Sequence, residues 1–335
     1  MTCAAGASPV VVSIEINQVC PLDCPFCYST PRRGGCRWSR EDLGLLIEEA
    51  ARLSDRVAVV FGDGEPLATP RLTGWALRRA LDSGAWQTGF TTSGVPRSAL
   101  AQVELEAGGP ISEPEGSITV SLDEYKVAKA PRCGGLEGRL SEAWRVTSSY
   151  LDAPREPPEP LCTILVAWER GWSVAVNMLV TRRSWALAPL IRALAVEGVI
   201  RQVNLLAPKP LKSLLPVAYI SVAARLASYL ARRLEPRVRV AVDSSMMQLM
   251  SGRPGCEAGG RLLSITACGL VKPCSFAGGG VKWRPGMLGE IAGYMERVYR
   301  GLRGGWCPFM AKHPPGSYSR GVRGFWARRE GSGLV

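Results

Sequence analysis

Short runs of apolar and β-branched residues alternate with amphipathic stretches along most of this 335-residue chain. Residues 10–16, 57–62, 87–92, 117–123, 173–180 and 202–207 have the length and composition of strands. Between them, residues 39–53, 70–83, 96–107, 136–151 and 184–197 read as helices. Ser39 ahead of Arg40, Glu41 and Asp42 gives a helix cap followed by acidic residues in the first turn, and Gly84 and Gly198 fall where helices should stop. Strict alternation of this kind predicts an α/β fold with a parallel sheet. Six strands and five intervening helices close only part of a TIM-like barrel, so the expected architecture is a partial (β/α)6 barrel with its ligand site at the carboxyl ends of the strands.

Other segments depart from the alternation. Residues 153–160 (APREPPEP) read as a linker or surface loop, and the apolar run at 161–168, which the alternation does not need, reads as an added hairpin strand. From residue 237 onward the chain is rich in glycine, proline and cysteine, which divides it into a barrel over 1–236 and a smaller domain over 237–335. The longest apolar stretches, 187–200 and 216–230, are interrupted by Arg192 and Glu197 and by Arg225, so no membrane span is expected. Eleven cysteines form no regular framework, and the first nine residues lack the features of a signal peptide, so the expected compartment is the cytoplasm.

The chemistry starts at Cys20, Cys24 and Cys27 in CPLDCPFC, directly after the first strand. Three thiolates on one loop, with no fourth ligand, leave one iron of a 4Fe-4S cluster open to something other than protein. Zinc is the alternative, but structural zinc takes four protein ligands, and the chain has a single histidine, His313, far along the sequence. The CxxxCxxC run, with Phe26 before its last cysteine and Tyr28 after it, resembles the signature of the radical S-adenosylmethionine (SAM) enzymes. The resemblance implies that the open iron chelates the amino and carboxylate groups of SAM and that Phe26 packs near its adenine.

Further motifs sit at the other strand ends. FGDGEPL closes the second strand; alone it reads equally well as an ordinary strand-to-helix turn. In the radical SAM family this position carries a GGEP-like motif that contacts the SAM amino group, and Gly64, Glu65 and Pro66 match it, with Asp63 in place of the usual first glycine. Ser93 in TTSG, Ser121 and Asp123 in SITVSLD, and Asn177 in AVNMLVTR occupy later strand ends that the resemblance places near SAM or the substrate. The stretch RCGGLEGRLSEA is similar to the turn and helix start of the peptide-modifying branch.

Cys256, Cys274 and Cys307, with Gly269 five residues before Cys274, resemble the opening of the auxiliary cluster domain called SPASM, in its shortened form called twitch. The resemblance implies a second 4Fe-4S cluster on these three cysteines; a structural zinc or unpaired core thiols are the alternatives. If residues 261–266 and 270–276 form a hairpin, Cys268 lies at its tip, too far from Cys274 to share a cluster. Cys3, Cys36, Cys133 and Cys162 have no spacing pattern and read as small buried hydrophobes.

Forty-one Lys and Arg against twenty-nine Asp and Glu give a net charge of +12, which suits an acidic partner such as a ferredoxin or flavodoxin, an acidic peptide, or nucleic acid. The expected activity is reductive cleavage of SAM to a 5′-deoxyadenosyl radical that takes hydrogen from a peptide, protein or cofactor precursor. RNA modification is the alternative enzymatic reading, and an iron-sulfur electron carrier the non-enzymatic one. No individual catalytic residue is assigned.

Overall fold

The computed structural model describes residues 10–22, 24, 26–27, 35–207, 217–234, 238–243, 256–277 and 280–299. Strands β1 (Val10–Glu15), β2 (Val57–Gly62), β3 (Gln87–Thr92), β4 (Gly116–Ser121), β5 (Val174–Leu179) and β6 (Gln202–Leu206) lie side by side in chain order, all parallel. Each falls within a residue or two of the run that predicted it. The strands are nearly continuous apolar runs because helices cover one face and the barrel interior the other. Phe61, Phe90, Ile14 and Ile118 are wholly buried there, and truncating either phenylalanine to alanine costs about 3–5 kcal/mol at such a site.

The sheet is larger than six strands. β7 (Arg239–Val242) continues the parallel series beside β6. On the other flank β8 (Leu262–Ile265) runs parallel to β1, and β9 (Leu270–Lys272) and β10 (Val281–Lys282) fold back antiparallel, giving one ten-stranded sheet. The strands after residue 237 therefore extend the barrel sheet from both of its edges.

Eight helices follow in the barrel region among the described residues: α1 (Arg40–Ala51), α2 (Pro70–Asp82), α3 (Leu100–Ala107), α4 (Glu124–Lys129), α5 (Gly138–Leu151), α6 (Glu159–Glu169), α7 (Ala188–Val196) and α8 (Val217–Leu234). Ser39 caps α1 as its sequence implies, its hydroxyl accepting from Asp42 N at 3.0 Å. α6 corrects the expectation of a hairpin strand at 161–168. Its first turn holds Pro160, a position where the missing N–H costs nothing, and Leu161, Cys162, Thr163 and Ile164 are all buried. A helix this deeply covered loses the polar face that would betray its period.

The C-terminal segment is tied to the barrel by polar contacts. Glu49 of α1 accepts from Gly286 N at 2.6 Å and Leu288 N at 2.8 Å, where α9 (Leu288–Tyr299) begins. Glu15 at the end of β1 accepts from Ala267 N at 2.7 Å in the β8–β9 turn. That turn also presents Cys268, which forms a disulfide with Cys36, their Cα atoms 4.9 Å apart. A second disulfide joins Cys133 to Cys162. Cys36, Cys133 and Cys162 are thus cross-linked residues and not merely small buried hydrophobes; Cys3 lies outside the described residues. The first bridge spans 232 residues and links the chain just past the cysteine loop to the C-terminal hairpin, a cross-link of a kind that typically contributes about 2–4 kcal/mol.

Candidate active site

The carboxyl ends of β1 through β7 converge on a cavity of about 510 Å³, within the usual size range for a small-molecule site. Cys20, Cys24 and Cys27 line it, as do Phe26, Gly64, Ser93, Ser121, Asp123 and Asn177. The parallel sheet thus brings together residues spread over more than 150 positions, because every strand end points the same way.

The loop after β1 is anchored by Asn17, which the sequence did not single out. Its Nδ2 donates to Glu65 O and to Thr69 Oγ1, both at 2.8 Å. Its Oδ1 accepts from Val19 N at 3.0 Å and from Glu65 N at 3.2 Å. One buried amide therefore fixes the root of the cysteine loop to the turn after β2. Gly64 makes that contact feasible: φ is +81° and an added Cβ would lie 2.2 Å from Asn17 O. Asp63, which replaces the usual glycine, adopts φ +52°, a left-handed conformation costing about 1 kcal/mol for a residue with a side chain.

Glu65 and Pro66 do not line this cavity. The Glu65 carboxylate is fully buried and outside the cavity lining. Oε1 accepts from Leu67 N at 2.9 Å and Thr92 Oγ1 at 2.5 Å; Oε2 accepts from Ser93 N at 2.6 Å and Ser93 Oγ at 2.5 Å. Its acceptor capacity is spent on welding the end of β2 to the end of β3, so the side chain is not available to an ammonium. Burial pushes its pKa up, opposed by these hydrogen bonds. Pro66 is buried in the short 3-10 turn that follows and takes no part in the lining.

Cys20 and Cys24 rest against an apolar patch of Leu22, Val95 and Ala130, and Cys27 N donates to Cys24 O at 3.0 Å. Burial raises both thiols above the ordinary value, Cys24 to about 11, with Lys126 pulling the other way. Asp123 starts α4, accepting from Lys126 N at 3.0 Å, and pairs with Lys126 Nζ at 2.5 Å. Lys126 escaped the sequence reading, although an Asp three residues before a Lys at a strand end is the spacing that a cap and ion pair require. Asn177 accepts from Asn204 Nδ2 at 2.8 Å, and Asn204 in turn accepts from Gln202 Nε2 at 2.5 Å, an amide ladder across β5 and β6. Asp243, also unremarked in the sequence, lines the far side and accepts from Ala207 N at 3.1 Å.

Among the described residues, no three His, Cys, Asp or Glu are gathered closely enough to hold one metal ion. Ligands of a single zinc must all lie about 2.3 Å from the same centre. Those of a four-iron cubane bind different irons and stand farther apart, so three thiols on one cavity wall fit the cluster better. Cys256 and Cys274 lie outside this cavity. Gly259 N donates to Pro273 O at 2.9 Å, which holds the chain after Cys256 beside the chain before Cys274. Cys307 lies outside the described residues, and Cys268 is engaged in its disulfide. No helix among the described residues is long and apolar enough to cross a membrane.

No family model matches the chain. A PqqA peptide cyclase of Rhodopseudomonas palustris is 31% identical over 133 residues, 39% of this chain and 33% of that protein. The matched stretch thus spans about a third of the relative's length. The fold is shared far more widely: SuiB of Streptococcus suis bound to its precursor peptide SuiA has a TM-score of 0.63 at 15% identity, over 93% of this chain and 75% of that one. The enzyme anSMEcpe with bound AdoMet and the Kp18Cys peptide has a TM-score of 0.56 at 14% identity, over 96% of both chains. The chain therefore shares the fold of SuiB and anSMEcpe, and over 133 residues it is similar in sequence to a PqqA peptide cyclase.

Proposed function

We propose that the chain is a radical SAM enzyme acting on a peptide or protein, with a 4Fe-4S cluster held by Cys20, Cys24 and Cys27. The supporting observation is that these three thiols share one wall of a cavity at the carboxyl ends of the strands, with no fourth thiol among the described residues that line it. When bound, the cluster supplies one electron that cleaves SAM to methionine and a 5′-deoxyadenosyl radical able to take hydrogen from a substrate. The chain positions and shields that chemistry. Phe26, Asp63, Gly64 and Ser121 line the cavity; with SAM bound, the Phe26 ring would serve the adenine, the turn at Asp63 and Gly64 the ammonium, and Ser121 the ribose. Leu22, Leu179, Leu206 and Phe276 supply the apolar wall that excludes water. Asn177, held by its amide ladder, is fixed toward the substrate side.

Peptides recur among the similar proteins: one is a PqqA peptide cyclase, one binds the precursor peptide SuiA and one binds the Kp18Cys peptide. That supports a peptide substrate over a cofactor precursor or RNA. The test is to offer the reconstituted protein the small peptides encoded beside its gene and to look for a mass change that requires both SAM and reductant. Cleavage of SAM with every peptide unaltered, alongside a modified nucleoside in added RNA, would overturn this assignment.

The region 237–335 supplies Cys256, Cys274 and Cys307 for an auxiliary cluster in this reading. An acidic one-electron carrier of the ferredoxin or flavodoxin type fits the net charge of +12. Its rate of reducing the protein should fall as salt rises, since screening shortens to about 8 Å at physiological ionic strength. A rate indifferent to salt would remove the charge argument.

A further inference from the structure

Among the described residues lining the cavity there is one basic side chain, Lys126, against three carboxylates, Asp63, Asp123 and Asp243. Its side chain is only 10% exposed and its Nζ lies 2.5 Å from Asp123 Oδ2. The other oxygen of Asp123 accepts from the backbone N–H of Lys126 at 3.0 Å, so one carboxylate fixes both the backbone and the head of the lysine. The ammonium also stands 5.5 Å from the centroid of the Phe26 ring, and Phe26 lies between Cys24 and Cys27. Tyr125 meets that ring edge-on at 5.6 Å. The neighbouring helix turn thus holds a desolvated cation against the cysteine loop.

Stability alone does not account for such a pair. Apolar replacements of a buried ion pair are often neutral or stabilising. We propose that Lys126 is a positioning cation for the cluster on Cys20, Cys24 and Cys27: steered by Asp123 against the cysteine loop, it offsets the cluster's negative charge and eases its one-electron reduction. This rests on the radical SAM reading of the same site. The charge balance is simple: one electron enters from a low-potential donor, the cluster gains one negative charge, no bond in the protein forms or breaks, and no proton is taken up. A nearby cation in a low-dielectric wall favours the more negative state.

The test is a potentiometric titration of the anaerobically reconstituted full chain without SAM, followed through the electron paramagnetic resonance signal that responds to SAM in a parallel sample. Lys126→Met should lower the equilibrium constant for reduction at least tenfold, a fall of 59 mV for a one-electron couple. Lys126→Arg should restore the potential. Asp123→Asn should raise it, and that sign stands as the deciding measurement if the Lys126→Met protein does not fold. An assembled cluster whose potential is the same in the wild type and Lys126→Met, or one that falls in Asp123→Asn, overturns the role given to Lys126. Failure of the wild type to assemble any cluster would instead overturn the functional reading beneath it.

Discussion

Replacing Cys24 by alanine should abolish SAM cleavage, because two thiolates leave two irons of a cubane open and the cluster is lost. Cys24 sits at the centre of the loop, its carbonyl accepting from Cys27 N and its side chain packed on Leu22, Val95 and Ala130. The small alanine fits that patch, so the fold should survive while the site loses its iron. Iron content makes the prediction quantitative. Cys24→Ala should lose about half the iron of the reconstituted wild type, and a triple alanine variant at Cys256, Cys274 and Cys307 should lose the other half if those cysteines hold a second cluster of the same type. Full iron and undiminished 5′-deoxyadenosine from Cys24→Ala would remove these thiols from the mechanism. Full iron in the triple variant would leave one cluster and a structural tail.

Glu65→Ala should destabilise the fold by roughly 3–5 kcal/mol, since it strands four donors and leaves a void in a dry site. That is a large part of the 5–15 kcal/mol that typically separates folded from unfolded states. The donors are Leu67 N, Thr92 Oγ1, Ser93 N and Ser93 Oγ. Glu65→Gln keeps the volume and one of the two acceptor oxygens and should cost less than the alanine. The sign of the pH effect follows from the raised pKa. The native state prefers protonated Glu65, so its contribution is complete below the ordinary glutamate range and is lost as pH rises through the elevated folded value. The Gln variant should not have this pH response. Urea midpoints across pH measure both effects, and a loss below about 1 kcal/mol in Glu65→Ala would show that the four hydrogen bonds do not hold the two strand ends together.

Local chemistry explains which elements were legible in the sequence. β1 to β6 announced themselves because strands covered on both faces are apolar without interruption. β7 did not, since Arg239 is exposed and its neighbours are only half-buried. α6 misled because Pro157, Pro158 and Pro160 read as a loop, when the last of them suits a helix's first turn. The disulfides were invisible for another reason: Cys36 and Cys268 become neighbours only when β8 pairs with β1 and brings a hairpin from 232 residues away.

The candidate site was legible at its cysteines and strand ends, where motif and topology coincide. The surroundings of the Glu65 side chain were not legible, because a GEP turn gives no sign of whether its carboxylate faces the ligand or the core. Lys126 and Asn17 went unnoticed since each acts through a partner on another turn of chain or another loop. Asn17 is read correctly only when the turn after β2 is seen against it.

The most direct measurement is 5′-deoxyadenosine formed from SAM by the anaerobically reconstituted full chain under strong reductant. Production that requires the reductant, the cluster and SAM together is the result expected of a radical SAM enzyme. A protein that assembles its cluster and accepts electrons yet leaves SAM intact, with or without added peptides, would contradict it and return the chain to a role as an electron carrier.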